Sequence, residues 1–147
     1  MAGDQALKTV VVDTSVVVKW FVEEEYSREA RMLRDAYIAG LLDLAAPSLL
    51  PYEVLNALRY SRLYTASELR EIARILDDYQ LTLHQLSSLY AEETAALAHE
   101  KDLTVYDAAY VALAERLGTV LYTADERLLR KLGPGGAARH IASYRGP

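Results

Sequence analysis

Residues 9–13, Thr-Val-Val-Val-Asp, form a β-branched run in which no polar residue alternates with an apolar one. A strand with one wet face alternates. A strand that does not is covered on both faces, which occurs chiefly in parallel sheets flanked by helices. This run therefore points to a layered α/β architecture. It also raises a question, because Asp13 is followed by Thr14, Ser15 and a second apolar block, Val16-Val17-Val18. Thr14 and Ser15 suit a turn, but a turn between two buried segments does not require an acid.

The rest of the chain carries the pattern such a sheet needs. Ser27 as N-cap and Gly40 as terminator frame a helix over 27–40. The run 41–47 can hold a strand, and Ser48 starts a helix to about Tyr60 with Pro51 tolerated in its first turn. Further helices are predicted over 67–78 (opening at Ser67), 87–100, 104–117 and 124–132, with strands at 80–84, 119–123 and 139–143. Helices interleaved with short apolar strands predict a largely parallel sheet, whose ligands bind outside the carboxyl ends of the strands. With 147 residues, no internal repeat and only Gly-Pro-Gly-Gly-Ala-Ala-Arg at 133–139 reading as loose, the expectation is one domain over 1–147, with its core from about 9 to 143.

Composition narrows the chemistry. A chain that is 52% hydrophobic and 25% charged folds as a globular protein. Its apolar runs are too short to span a bilayer, and the opening Met-Ala-Gly-Asp-Gln-Ala-Leu-Lys lacks a basic segment followed by an apolar signal core. The expectation is a cytoplasmic protein with no membrane partner. The absence of cysteine excludes disulfides, thiolate metal sites and cysteine nucleophiles. A formal net charge of −5 argues against nucleic-acid binding through bulk charge, though local basic patches can still serve. His84, His99 and His140 show no ligand spacing, Ser15 lacks the glycines of a nucleophile elbow, and no Gly-rich phosphate loop exists.

Four acids remain in comparable places. Asp13 closes the first strand, and Asp125 follows Thr-Val-Leu-Tyr-Thr-Ala just past a later one. Glu53 stands in the first turn of a helix beside the apolar seam formed by Leu49, Leu50, Val54 and Leu58. Asp107 opens a helix that is apolar nearly all round, with Thr104 placed to complete a capping box. Singly, each has a structural explanation: an Asx turn for Asp13, a cap for Asp125, favourable helix-dipole placement for Glu53 and a capping box for Asp107. Together they form a constellation of carboxylates. Two unit charges about 4 Å apart repel by roughly 4 kcal/mol at an effective dielectric of about 20. Such acids must take up protons or share a cation, and an all-oxygen set suits Mg²⁺ or Mn²⁺. The matching reaction is metal-assisted phosphodiester hydrolysis.

The order Val-Val-Asp-Thr-Ser-Val-Val-Val-Lys-Trp, Pro-Ser-Leu-Leu-Pro-Tyr-Glu-Val-Leu-Asn-Ala-Leu, Leu-Thr-Val-Tyr-Asp-Ala-Ala-Tyr-Val-Ala-Leu-Ala-Glu-Arg-Leu-Gly and Thr-Val-Leu-Tyr-Thr-Ala-Asp-Glu-Arg-Leu-Leu resembles the PIN domain family, and within it the VapC-type toxins of VapBC toxin–antitoxin modules. The likeness covers nearly the whole chain. It implies a three-layer fold, with a parallel five-stranded sheet in order 3-2-1-4-5 and helices on both faces. It also implies a Mg²⁺- or Mn²⁺-dependent endoribonuclease, commonly a homodimer, that a cognate antitoxin inhibits. The family's acids map to Asp13, Glu53, Asp107 and Asp125, and its polar site positions to Thr14 and Thr123, with Thr14 or Ser15 able to hydrogen-bond a carboxylate or phosphate.

RNA must still approach an acidic protein. Lys19, Arg59, Arg62 and Arg127 are candidate phosphate contacts, although any one of them taken alone reads as a solvated surface cation. Tyr52, Tyr106 and Tyr110 are candidates for stacking on splayed bases, with packing the stronger reading for Tyr110. Glu23-Glu24-Glu25 reads as a solvated or antitoxin-facing loop. Two alternatives compete. One is a PIN fold kept for partner binding without catalysis, against which the full acid set stands. The other is an aspartate-based phosphotransfer or receiver-type protein. Asp13 suits it, but the second aspartate wanted two residues on is replaced by Ser15.

Overall fold

The computed structural model describes residues 7–147; the opening six residues, part of the segment read above for a leader, lie outside that range. β1 (Thr9–Val12) is the central strand, and its three valines are almost completely buried, as a strand without alternation must be. It pairs in parallel with β2 (Asp43–Pro47) on one side and β4 (Leu121–Thr123) on the other. β3 (Thr82–His84) extends the sheet beyond β2, and β5 (Ala138–His140) beyond β4. The order is 3-2-1-4-5 with every pair parallel, as the resemblance implied.

Parallel neighbours need crossovers. β1 reaches β2 through α1 (Thr14–Val17), a 3₁₀ turn (Val18–Trp20) and α2 (Ser27–Ile38), and β2 reaches β3 through α3 (Leu50–Ser61) and α4 (Ala66–Asp78). The chain then returns across the sheet through α5 (Ser88–Lys101) and α6 (Val105–Arg116) to β4, and α7 (Glu126–Leu132) leads to β5. Because such crossovers are right-handed, reversing direction puts α5 to α7 on the opposite face from α1 to α4. The reversal also makes β1 and β4 the switch point, where the chain leaves adjacent strand ends toward opposite faces.

α6 explains its own sequence. It lies on β1, β2 and β4 with α5 along its outer side, and all seven residues from Ala108 to Ala114 are buried. Its alanines permit close approach to the valines of β1. Leu33, Leu44, Leu58, Leu113 and Leu121 are also fully buried, each contributing about 1.5–3 kcal/mol of transfer free energy.

The local structure departs from the sequence expectations at several helix and strand ends. The helix at 27–38 is preceded by Tyr26 in a left-handed conformation, so Ser27 is its first residue, not its cap. Ser27 Oγ instead donates to Val22 O and accepts from Glu24 N, closing the preceding loop. α3 begins at Leu50, two residues after Ser48. Thr65 and Glu68 form a full capping box for α4 where Ser67 was expected to open the helix. The last strand spans three residues only. His140 Nδ1 accepts from Ala142 N, and the chain turns into a 3₁₀ segment over Ile141–Ser143.

Candidate active site

Asp13 stands between β1 and α1. Its backbone oxygen accepts from Val16 N and Val17 N, both at 3.2 Å, and its amide donates to Tyr122 O of β4. The acid that interrupts two valine blocks thus occupies the corner where a buried strand becomes a buried helical turn. Ser15 ties this corner to β4: its Oγ donates to Asp13 Oδ1 at 2.6 Å and accepts from Ala124 N at 2.8 Å. Thr123, fully buried at the end of β4, lies 3.4 Å from Ser15 Oγ and accepts from Asp125 N.

Asp125 is the N-cap of α7, its Oδ1 accepting from Leu128 N at 3.1 Å. Asp107 sits in the first turn of α6, where Thr104 Oγ1 accepts from Asp107 N at 3.0 Å, one half of the expected capping box. Glu53, in the first turn of α3, is held by two hydroxyls from elsewhere in the chain. Tyr110 Oη donates to its Oε1 at 2.6 Å and Thr14 Oγ1 donates to the same oxygen at 3.0 Å.

These four segments meet at the carboxyl rim of the sheet. Asp13, Glu53, Asp107 and Asp125 line one cavity of about 440 Å³, together with Thr14, Ser15, Lys19, Glu24 and Tyr110. Thr123 braces the wall from behind. Another groove, about 360 Å³ between α3, α4 and β3, is walled mainly by leucines and contains none of the four.

The electrostatics record the crowding. Burial pushes the Asp13 carboxyl up from its ordinary 3.8 to about 6, against the Ser15 and Thr123 hydroxyls and the Val16 amide; the Asp125 charge adds to the rise. Asp107 is also raised, first by burial and then by the charges of Asp125 and Glu53, with Arg127 opposing. A cavity in which Asp13 and Asp107 resist ionisation is stabilised by a cation. The donor set, carboxylates with hydroxyls close by, is of the hard-oxygen kind that suits Mg²⁺ or Mn²⁺. As placed, however, no three acids or histidines among the described residues stand close enough to hold a metal ion. One oxygen each of Asp13, Glu53 and Asp125 is engaged by Ser15, by Tyr110 and Thr14, and by the Leu128 amide respectively, so closing around an ion requires side-chain rotation.

The four candidate phosphate contacts separate. Lys19 is buried on the cavity wall and pairs with Glu24 at 3.0 Å. Arg127 is exposed in an adjoining depression that shares Asp107. Arg59 and Arg62 are exposed and line neither; the Arg59 guanidinium lies over the Tyr60 ring. Tyr52 and Tyr106 are exposed next to Glu53 and Asp107 in sequence.

Two cavity residues have roles the sequence did not indicate: Tyr110 reads there as packing or base stacking, and Glu24 as part of a solvated or antitoxin-facing loop. Tyr110 had a usable signal: it follows Asp107 by three positions and so shares its helix face. Glu24 had none, because a loop tip gives no periodicity from which to infer a direction.

The sequence model described as PIN domain matches residues 10–133. A protein named Ribonuclease VapC3 from Pyrobaculum aerophilum is 38% identical over 129 residues, covering 83% of this chain and 93% of that one. A crystal structure of another Pyrobaculum aerophilum protein superposes with a TM-score of 0.64 at 28% identity, covering 92% of this chain and 85% of that one. A toxin–antitoxin complex from Klebsiella pneumoniae contains a chain with the same fold, TM-score 0.66 at 19% identity, covering 90% and 97%.

Proposed function

The chain belongs to the PIN domain family, and from that premise we propose that it is a metal-dependent endoribonuclease that hydrolyses RNA phosphodiester bonds as the toxin of a toxin–antitoxin pair. The observation that carries this reading is the meeting of Asp13, Glu53, Asp107 and Asp125, from four separated segments, around one cavity at the switch point of the sheet. Similarity to a protein named as a ribonuclease supports the substrate class. The structural neighbour from Klebsiella pneumoniae, itself a toxin–antitoxin complex, suggests a cognate antitoxin as partner. A homodimer is part of the same reading.

Asp13, Glu53, Asp107 and Asp125 would hold Mg²⁺ or Mn²⁺. Such an ion, when bound, supplies charge neutralisation at the scissile phosphate and a water of lowered pKa. The protein's own residues prepare the place. Ser15 fixes Asp13 by one oxygen. Tyr110 and Thr14 do the same for Glu53. Thr123 orients the chain entering α7, on which Asp125 depends.

The test is cleavage of single-stranded RNA with added Mn²⁺ by antitoxin-free protein, wild type against Asp13→Asn. The expected result is cleavage by the wild type, its loss on chelation, and none by a folded Asp13→Asn variant. Cleavage by the variant at the wild-type rate would refute the assignment.

A further inference from the structure

RNA entering this cavity meets acids almost everywhere. Asp13, Glu24, Glu53, Asp107 and Asp125 all line it, and Lys19 is the one cationic side chain among its lining residues. A phosphodiester carries its own negative charge into that field, so a fixed positive charge in the wall has a definite electrostatic task. Lys19 is only 7% exposed, an unusual position for a lysine and one that loses several kcal/mol of hydration unless the charge is used or paired.

Its position is rigid. Lys19 lies in the 3₁₀ turn directly after α1, the helix that carries Thr14 and Ser15. Next to it, Trp20 is buried and its Nε1 donates to Ala30 O of α2 at 2.9 Å. Tyr64 Oη donates to Phe21 O at 2.8 Å from the other side. Glu24, which accepts from the Lys19 ammonium at 3.0 Å, has its own backbone amide held by Ser27 Oγ. Of the three protons on the ammonium, this ion pair uses one.

We propose that Lys19 is a substrate-contacting residue of the site, its ammonium binding a non-bridging phosphate oxygen of the RNA strand while Glu24 fixes the direction in which it points. The inference rests on the nuclease reading above and deepens it. Arg127, in the adjoining depression, is exposed, whereas Lys19 is buried in the wall of the cavity that holds the four acids.

The competing account is that Lys19 and Glu24 merely tie the turn to its loop, and the two accounts separate experimentally. The variants are Lys19→Met, Lys19→Arg and Glu24→Gln, compared by steady-state cleavage of a single-stranded RNA across a salt series, by Mn²⁺ titration calorimetry and by thermal melting. If Lys19 meets phosphate, Lys19→Met lowers kcat/KM by roughly 10- to 100-fold, the range for a lost charge-assisted hydrogen bond. Its salt dependence becomes shallower by about 0.7 in log–log slope, the value for one phosphate contact on a single strand. Mn²⁺ affinity is retained, Lys19→Arg restores the salt slope, and Glu24→Gln loses less than Lys19→Met. Equal losses in Lys19→Met and Glu24→Gln, or an unaltered salt slope in Lys19→Met, would overturn the proposal. If Lys19→Met does not fold, Lys19→Gln, neutral but polar at the same position, takes its place in the same comparison. A wild-type protein that binds Mn²⁺ yet cleaves no RNA would instead sink the nuclease reading.

Discussion

Tyr110 and Glu53 are 57 residues apart in sequence and joined by a 2.6 Å hydrogen bond in which the phenol donates to Oε1. Thr14 Oγ1 reaches the same oxygen at 3.0 Å and approaches Tyr110 Oη at 3.2 Å. The three oxygens form a triangle that two hydroxyl protons must serve. Burial, and then the bond to Glu53, push the Tyr110 phenol far above its ordinary range, so it stays a donor at every working pH. The arrangement links α1, α3 and α6 at one carboxylate.

Tyr110→Phe removes the stronger bond and leaves the ring packing in place. Its expected effect is a loss of Mn²⁺ affinity of about 10-fold, corresponding to about 1.4 kcal/mol, the scale of one hydrogen bond to a charged group. Titration calorimetry measures it. The melting temperature without metal should shift much less than the affinity, because Thr14 still holds the carboxylate. Unchanged affinity would mean that Glu53 needs no fixing.

Much of the fold was legible because its causes are local. Val10, Val11 and Val12 announce a strand covered on both faces, and the apolar run from Ala108 announces a helix buried all round. The acids could be placed on the carboxyl rim because Asp13 follows β1 directly and Asp125 comes two residues past β4. What could not be read depends on contacts between distant segments. Lys19 reads as a surface lysine until the Trp20 and Tyr64 contacts bury the turn that carries it. Ser27 reads as a cap until the loop at 21–26 claims its hydroxyl. Tyr110 reads as packing until Glu53 arrives from α3.

Asp13 opposes the stability of the metal-free protein at neutral pH. Its folded pKa of about 6 lies above the ordinary 3.8, so the folded state holds the proton more tightly than the unfolded chain does. The penalty is absent below about pH 4, grows as pH rises from there to 6, and is complete above that. The gap of about 2 units corresponds to about 3 kcal/mol at most. Asp13→Asn should therefore melt higher than the wild type at pH 7.5 without metal, and by a clearly smaller margin at pH 4. Added Mn²⁺ should narrow the difference at pH 7.5 by stabilising only the wild type. Melting curves at the two pH values with and without Mn²⁺ decide it. A margin independent of pH would show that Asp13 pays no ionisation penalty.

The helix layer holds a defect unrelated to the site. Thr94 of α5, the helix that packs along α6, is fully buried, and its hydroxyl finds no hydrogen-bond partner among the described residues. One turn earlier, Tyr90 Oη is satisfied by Ala109 O at 2.6 Å. A buried, unsatisfied hydroxyl costs about 1–3 kcal/mol relative to an apolar group of the same shape. Thr94→Val is expected to raise stability by about 1 kcal/mol, or about 2–4 °C in melting temperature for a chain of this size. Mn²⁺ affinity should not change. Destabilisation measured by urea or heat would indicate that the hydroxyl has a partner, such as a buried water.

Asp125 has two separable tasks. Its Oδ1 caps α7 by accepting from Leu128 N, and its charge helps raise both Asp13 and Asp107. Asparagine caps as well as aspartate does, whereas alanine forfeits about 1 kcal/mol. Asp125→Ala should therefore melt about 2–4 °C lower than the wild type. Asp125→Asn should match or exceed the wild type without metal, since it keeps the acceptor and relieves like-charge repulsion. In Mn²⁺ titration, by contrast, the two variants should both bind more weakly, because a neutral amide is a poorer partner for a dication than a carboxylate. Equal melting losses in the two variants would refute the capping account, and full Mn²⁺ affinity in Asp125→Asn would remove Asp125 from the ligand set. Only a residue that both starts α7 and faces the cavity separates the pair in melting while leaving them alike in metal binding.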